Sequence, residues 1–508
     1  MSHKNKNGLG TPQMIMTSPI LPHDVVMEVI NYLENDHCTL HSCILVNRLW
    51  CQTAIEVFWK NLWEFRIKVG LTGDTYRFWG AVFRTLTSCL SDSSKELLRS
   101  NGIKITLYTP KVQLFDYPAY LKSLDCVAIS AMIEMVTYMA HQHERPRRLL
   151  YIQHLLEQEI CKMFINKCGT IPVLILDHIP LAYFPGAQEC FSSLTELRCH
   201  TAVHETIFFA MAQLCRNIER IVIEFFDDDN LGLAALIEMQ QHNLKYVKCL
   251  GDELGEDQKF GAIVDVFRKN ANFYTQLDLV KFPFIRPVTI TTMMNLQSLT
   301  INLIGSQQEE AWEELANAYL PKLEVLHLHF DTLSLNVTKN IIANNNGGLY
   351  SIIVDYEPDD DDQSVTLNET IVQYCPKLKF LATWFLNNEW NALADILMRC
   401  QDLECLTLQG TVAIQIDGDK LLNLLRKEYT PKGLWKLGLR GSWVFSKKTL
   451  RLYLKDCKEK KKRIAFCFSD NDLTNFNDIN DIFEKYYEEG VIRWYKFNCS
   501  FEWDSFCT

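Results

Sequence analysis

The chain of 508 residues lacks any uninterrupted apolar run of the ~18 residues that a membrane span requires. Val127 to Ala140 comes nearest, but it is too short and contains Glu134. The opening residues, MSHKNKNGLGTPQMIMTSP, hold no apolar core of signal-peptide length. The chain is therefore expected in the cytosol or nucleus, with no membrane partner. No Cys-x-x-Cys pair occurs among the 18 cysteines, which excludes a zinc ribbon and a thioredoxin-like site. The thiols are expected to be reduced and mostly buried. Phosphate-binding Gly-rich loops, Gly-x-Ser-x-Gly and His-Glu-x-x-His are missing, so no catalytic residue, cofactor or metal is assigned. Basic residues are outnumbered 51 to 62, giving a net charge of -11. That balance argues against a nucleic-acid partner, whose binding rests on Lys and Arg neutralising phosphates.

What remains is an ordinary soluble composition, 48% apolar and 22% charged, in a chain long enough for several domains or one repeat array. Residues 1–18 are polar and aperiodic and are expected to form a disordered tail. Leu21-Pro22 then opens a helix, since proline is tolerated in a first turn. Val26, Val29, Ile30 and Leu33 follow at the spacing of one helical face. After a polar break at Glu34 to His37, Leu40, Cys43, Ile44, Val46 and Trp50 give a second apolar stripe. Ile55, Phe58, Trp59 and Leu62 give a third. Three helices this short bury too little apolar surface alone, so some of it must meet the rest of the chain or a partner.

The ordered set Leu21, Pro22, Ile30, Leu33, Val46-Asn47-Arg48-x-Trp50 and Trp59 resembles an F-box. The resemblance places the F-box at residues 19–63. It implies a surface, formed by Leu21, Pro22, Ile30, Leu33, Val46, Trp50 and Trp59, that binds a Skp-family adaptor and through it a cullin. Glu34 to His37 is more polar than the family usually carries there.

Residues 64–168 are expected to form a helical linker, with apolar faces over Asp125–Ala140 and Leu149–Phe164 and a break at Pro146. His141 and His143, beside that proline, lack a third ligand. From residue 169 to 508 one phrase recurs: apolar, two spacers, apolar, one spacer, apolar. It starts at Leu194, Ile218, Leu244, Tyr274, Leu296, Leu323, Leu349, Leu378, Leu403 and Leu434, with steps of 22 to 31 residues. This is the leucine-rich-repeat signature. The last two apolar positions lie two apart, so on a strand they point to one side, and stacked copies predict a parallel sheet. Segments such as Trp312–Tyr319 and Trp390–Met398 are expected to return as helices. Ile464 to Phe468 and Val491 to Phe497 are expected as final strands, with Val491 to Phe506 capping the array.

The predicted fold class is α/β: a short helical F-box and helical linker followed by a leucine-rich-repeat solenoid, a horseshoe with a parallel sheet. The usual Asn or Cys after each strand is replaced by Asp331, Thr411 and Ser442, so a regular polar ladder is not expected. The array is similar to the degenerate repeats of fungal F-box proteins. One residue per repeat should line the opposite face of the sheet: Arg198, Val222, Lys248, Asp278, Thr300, His327, Ile353, Ala382, Thr407 and Gly438. Arg198, Lys248, Asp278, His327, Trp384 and Trp443 are the candidate target-binding residues, aromatics being common anchors of interfaces. His327 and His329 share a face but lack a carboxylate or thiol partner, and His200 and His204 make a weaker pair. Asp359 to Asp362 is a solvated acidic loop without the alternation or glycine of a calcium site. Lys458 to Arg463 is an exposed helix end. The expected function is that of a non-catalytic substrate receptor in an SCF-type ubiquitin ligase, holding a protein target. The alternative is a repeat scaffold with no ligase role.

Overall fold

Pro22, Asp36 and Asn47 set the starts of three short helices in the computed structural model of the chain: α1 (His23–Tyr32), α2 (His37–Ile44) and α3 (Arg48–Lys60). The structure describes residues 21–60, 62–64, 73–103, 113–140, 145–225, 229–251, 260–303, 309–330, 334–355, 361–410, 414–469 and 476–497. The Asp36 carboxylate accepts the Thr39 N–H at 3.1 Å, and the Asn47 side-chain oxygen accepts the Trp50 N–H at 3.0 Å. Each satisfies a backbone donor that a helix start leaves without a partner. The sequence stripe running from Leu40 to Trp50 is thus two helices. Asn47 competes with the backbone and breaks the stripe, and Trp50 belongs to α3.

The described residues contain sixteen strands, of which fourteen form one parallel sheet in chain order. By internal contacts the chain divides into two compact units: Met1–Leu174 with Phe184–Cys190, and Ile175–Tyr183 with Phe191–Thr508. The expected tail, residues 1–18, lies outside the described residues.

In the first unit α1 and α2 pack on α3. Val26, Ile30, Leu40, Ile55, Phe58 and Trp59 form their shared core. Helices follow at Gly73–Cys89, Asp92–Ser100, Cys126–Ala140 and Pro146–Lys167, with a short strand β1 (Ser123–Asp125). Pro146 occupies the first turn of its helix, where its missing N–H costs nothing. Trp63 holds the unit's centre. It stacks on Trp79 at 6.1 Å, meets Phe164 edge-on at 6.2 Å, and its indole N–H donates to the Ser123 carbonyl at 2.8 Å.

After β2 (Val173–Ile175), each of the ten recurring phrases lies on a strand. These are β3 (Glu196–His200), β4 (Arg220–Phe225), β5 (Tyr246–Gly251), β6 (Gln276–Val280), β7 (Ser298–Asn302), β8 (Val325–His329), β9 (Ser351–Asp355), β10 (Phe380–Trp384), β11 (Cys405–Gln409) and, past the two-residue strand β12 (Ile416–Asp417), β13 (Lys436–Arg440). A second two-residue strand, β14 (Trp443–Val444), pairs with β12. β15 (Ile464–Ser469) and β16 (Ile492–Lys496) complete the sheet, as the alternation there predicted. Helices return between most of the strands. Trp390–Arg399 is an α-helix, whereas Glu309–Asn317 is a 3₁₀ helix.

The inward residues of each phrase, such as Leu197 and Cys199 or Leu326 and Leu328, are buried. The first spacer of each phrase ties its repeat to the next. Its carbonyl accepts two N–H groups, those of both spacers one repeat on: Thr195 from Glu219 and Arg220, Glu219 from Lys245 and Tyr246, and so on through Glu404 with Trp435 and Lys436. Side-chain amides add lateral bridges. Gln240 donates to the Cys215 carbonyl at 2.7 Å, and Asn345 donates to the Leu320 and Leu323 carbonyls at 3.0 Å. These bridges take over from the absent post-strand Asn. Ser442 is buried, while Asp331 and Thr411 lie outside the described residues.

Candidate functional site: two interaction surfaces

The first surface lies on the three opening helices. Leu21, Val25, Val29 and Tyr32 fall at steps of four, four and three along α1 and are exposed, while the alternate set Val26 and Ile30 is buried. Leu45 and Val46, between α2 and α3, are 75% and 60% exposed. Water-facing apolar residues scattered singly need no explanation, but a cluster on one small bundle is the usual mark of a docking surface. Asp36 and Asn47 fix the bend that presents Leu45 and Val46. Lys60 pairs with Glu34 at 2.7 Å and ties the end of α3 to the turn after α1.

Of the residues assigned to an adaptor, Leu21, Pro22 and Val46 are exposed, and Leu33 and Trp50 are half-buried. Ile30 and Trp59 are corrections. They are 0% and 4% exposed, because each turns toward the bundle interior, Trp59 against Tyr117 at 4.9 Å. Val25, Val29, Tyr32 and Leu45 are exposed beside them and were not assigned from the sequence, where Val29 was placed on the same face as Val26 and Ile30. The signal was present: α1 carries two interleaved stripes at i, i+4, and only one of them was needed for a core.

The second surface is the sheet face opposite the buried leucines. Strand register brings the ten expected residues side by side in one row: Arg198, Val222, Lys248, Asp278, Thr300, His327, Ile353, Ala382, Thr407 and Gly438. The row changes character along the array. Over β3 to β6 it is mostly polar and only partly buried. Glu196 pairs with Arg198 at 2.8 Å and Arg220 at 3.4 Å, the Arg220 guanidinium lies 4.0 Å from the Tyr246 ring centre, and the Tyr246 hydroxyl donates to Asp278 at 2.6 Å. Arg198 and Asp278 thus sit at the two ends of one connected network.

His327 is half-buried and hydrogen-bonded to the Ser351 hydroxyl at 2.9 Å. Burial, then the neighbouring His329, push its pKa down to about 3, so it is neutral at physiological pH. His329 lies 3.5 Å from Asp355, so the two histidines have separate partners rather than a shared ligand.

From β9 onward the face closes. Arg440 on β13 reaches Asp355 on β9 at 2.8 Å, and Gln409 on β11 donates to the Val354 carbonyl at 3.0 Å. Three strand intervals in a flat sheet would span roughly 14 Å, about the full extension of an Arg–Asp pair, so the sheet curves toward this face. Ile353, Ala382, Trp384, Thr407 and Gln409 are buried there. Cys405 and Cys467 are buried nearby, with Phe380 and Trp494 packed against them. Trp384 and Trp443, expected to hold a target, are therefore corrections. Trp384 lies inside the bend. Trp443 donates its indole N–H to the Arg440 carbonyl at 3.0 Å and stacks on Phe385 at 6.1 Å. Their size suited them to the core, which sequence alone does not separate from an interface.

No protein-family model matches the chain, and no curated protein matches it.

The remaining candidates are placed as follows. His204 caps the helix Glu205–Leu214 by accepting the Thr206 N–H. His200 lies beside Asp177 and His178. The helix Lys447–Glu459 ends within the basic run Lys458 to Arg463, and Lys461 turns the chain with a positive φ of 53°. Asp361 and Asp362 begin a helix; His141, His143, Asp359, Asp360 and Phe506 lie outside the described residues. Among the described residues no helix is long and apolar enough to cross a membrane.

Proposed function

We propose that this chain is a substrate-receptor subunit of an SCF-type cullin–RING ubiquitin ligase. In this reading α1 to α3 act as an F-box that docks on a Skp-family adaptor, and through it on a cullin. The strand repeats act as a leucine-rich-repeat horseshoe whose open half, β3 to β8, holds a protein target. The chain supplies no chemistry of its own. It raises the local concentration of a target beside a ubiquitin-loaded enzyme, an effect of proximity.

The observation that carries the reading is the exposed strip Leu21, Val25, Val29, Tyr32, Leu45 and Val46 on helices whose core is already formed by Val26, Ile30, Leu40, Ile55, Phe58 and Trp59. The bundle does not need these side chains for its own core, and they face water unless a partner covers them. The polar network from Arg198 to Asp278 supports target binding by the open half, where charged groups set specificity more than affinity.

The test is co-purification of the full chain with a Skp-family adaptor. The wild type should bring the adaptor down. A variant with Leu21 and Pro22 replaced by alanine should bind less, and the exposed pair change Leu45→Asp with Val46→Asp should abolish capture without lowering thermal stability. Capture unchanged in the Leu45/Val46 variant would refute the docking surface. Loss of no partner but absence of the adaptor from the wild type would favour a repeat scaffold without a ligase role.

A further inference from the structure

The second unit carries a cluster of side chains that neither surface uses. β3 ends at His200. The Leu176 N–H donates to the Arg198 carbonyl at 2.8 Å, which extends the β2 pairing and sets Asp177 beside His200. Leu174, Leu176, Leu197 and Cys199 all turn inward and are buried. Strand alternation therefore turns Asp177 and His200 to the opposite face together. Asp177 Oδ1 lies 3.3 Å from His178 Nε2 and 3.4 Å from His200 Nε2. The three ligand atoms all fall within 4.8 Å of one another, and the two imidazole rings are 5.4 Å apart.

We propose that Asp177, His178 and His200 form a binding site for a zinc-type divalent cation, with a free coordination position open to solvent. Two imidazoles and one carboxylate are a zinc ligand set that leaves a fourth tetrahedral position for water. The spacing fits. Metal–ligand bonds of ~2.0–2.1 Å at tetrahedral angles put neighbouring ligand atoms roughly 3.3 Å apart. Direct N–H···O hydrogen bonds are usually shorter, at about 2.7–3.2 Å. Only the separation between the two histidine nitrogens has to close, and His178 is 67% exposed on its side chain and free to turn. Asp177 and His200, in contrast, are largely covered and pre-placed by the strand register. The Asp177 carboxylate is held further by accepting the backbone N–H of the next residue, His178, at 2.8 Å.

The sequence hid the set because two ligands are adjacent and the third lies one repeat away, which matches no ligand motif.

The test uses the full-length protein stripped with a chelator and titrated with Zn²⁺ and Co²⁺. One equivalent of Zn²⁺ should bind and raise the melting temperature. Co²⁺ should give the visible absorption of a four-coordinate N/O site, without the thiolate-to-metal charge-transfer band that the cysteines would produce. His200→Gln and His178→Gln should each weaken binding by about tenfold or more. His204→Gln, a cap residue outside the cluster, should bind as the wild type does. Absence of stoichiometric binding, a thiolate band, or unchanged affinity in His178→Gln would each overturn the site. His178 is exposed, so that variant decides the matter even where His200→Gln reduces the yield of folded protein.

Discussion

Thr407 shows how much the sheet bend decides at the level of one side chain. Its position in the repeat row was legible from the phrase, but its burial was not. Its hydroxyl Oγ1 is buried with no hydrogen-bond partner among the described residues. A buried hydroxyl without a partner costs free energy that an apolar isostere avoids. Thr407→Val is therefore expected to stabilise the chain by about 1 kcal/mol, measured by denaturant unfolding. His327 makes a second case. Its folded pKa, about 3, is below the ordinary 6.5. Between those values the unfolded chain binds a proton there and the folded chain does not, so stability rises with pH across the window. The contribution is full above 6.5 and is lost as pH falls toward 3. His327→Gln should flatten the decline in melting temperature between pH 6.5 and 4, and an unchanged pH profile would refute a neutral His327. Trp384 and Trp443 mark the limit of residue-level reading. A large aromatic fills a core or an interface equally well, and only the Arg440–Asp355 span across three strand intervals shows which.

Helices and strands were legible to different degrees. All ten repeated phrases lie on strands, because the two-residue alternation of buried positions is dictated by the pleat and leaves little freedom of register. The returning segments were harder, since a short apolar pattern fits both an α-helix and the 3₁₀ turn found at Glu309–Asn317. The division of the second opening stripe into α2 and α3 rests on one side chain. Asn47 holds the Trp50 N–H, and Asn47→Ala should lower stability by about 1 kcal/mol. Asn47→Asp should keep most of it, since aspartate caps as well. If both variants melt alike, the cap is not what fixes the bend that exposes Leu45 and Val46.

Across the second unit, the sheet face is divided into an open half and a buried half. That division assigns separate work to the two groups of candidate residues. Arg198, Lys248, Asp278 and His327 lie where a partner has access. Replacing Arg198 and Lys248 together by glutamate should remove the target-dependent part of a proximity-labelling profile and leave adaptor co-purification intact. Loss of both, or of neither, would separate the open face from target selection. The double change reverses charge on exposed or half-exposed groups, where its effect on stability is small. The repeat row was readable from sequence because it depends on short-range periodicity. The buried half was not, because it depends on how strongly the sheet curves, which no local pattern records.

The row of first-spacer carbonyls has a consequence for how such a chain changes over generations. Each repeat is fastened to the next along the backbone through the two N–H groups of one short phrase, while residues between phrases, such as Gln240 and Asn345, add side-chain bridges. Lengthening a loop costs little chain entropy. Steps of 22 to 31 residues are all compatible with one unbroken ladder. Return segments can therefore gain or lose residues, and with them new surface, while the backbone seam stays the same. Shifting a phrase by a single residue would instead break both bonds at once and turn its leucines outward.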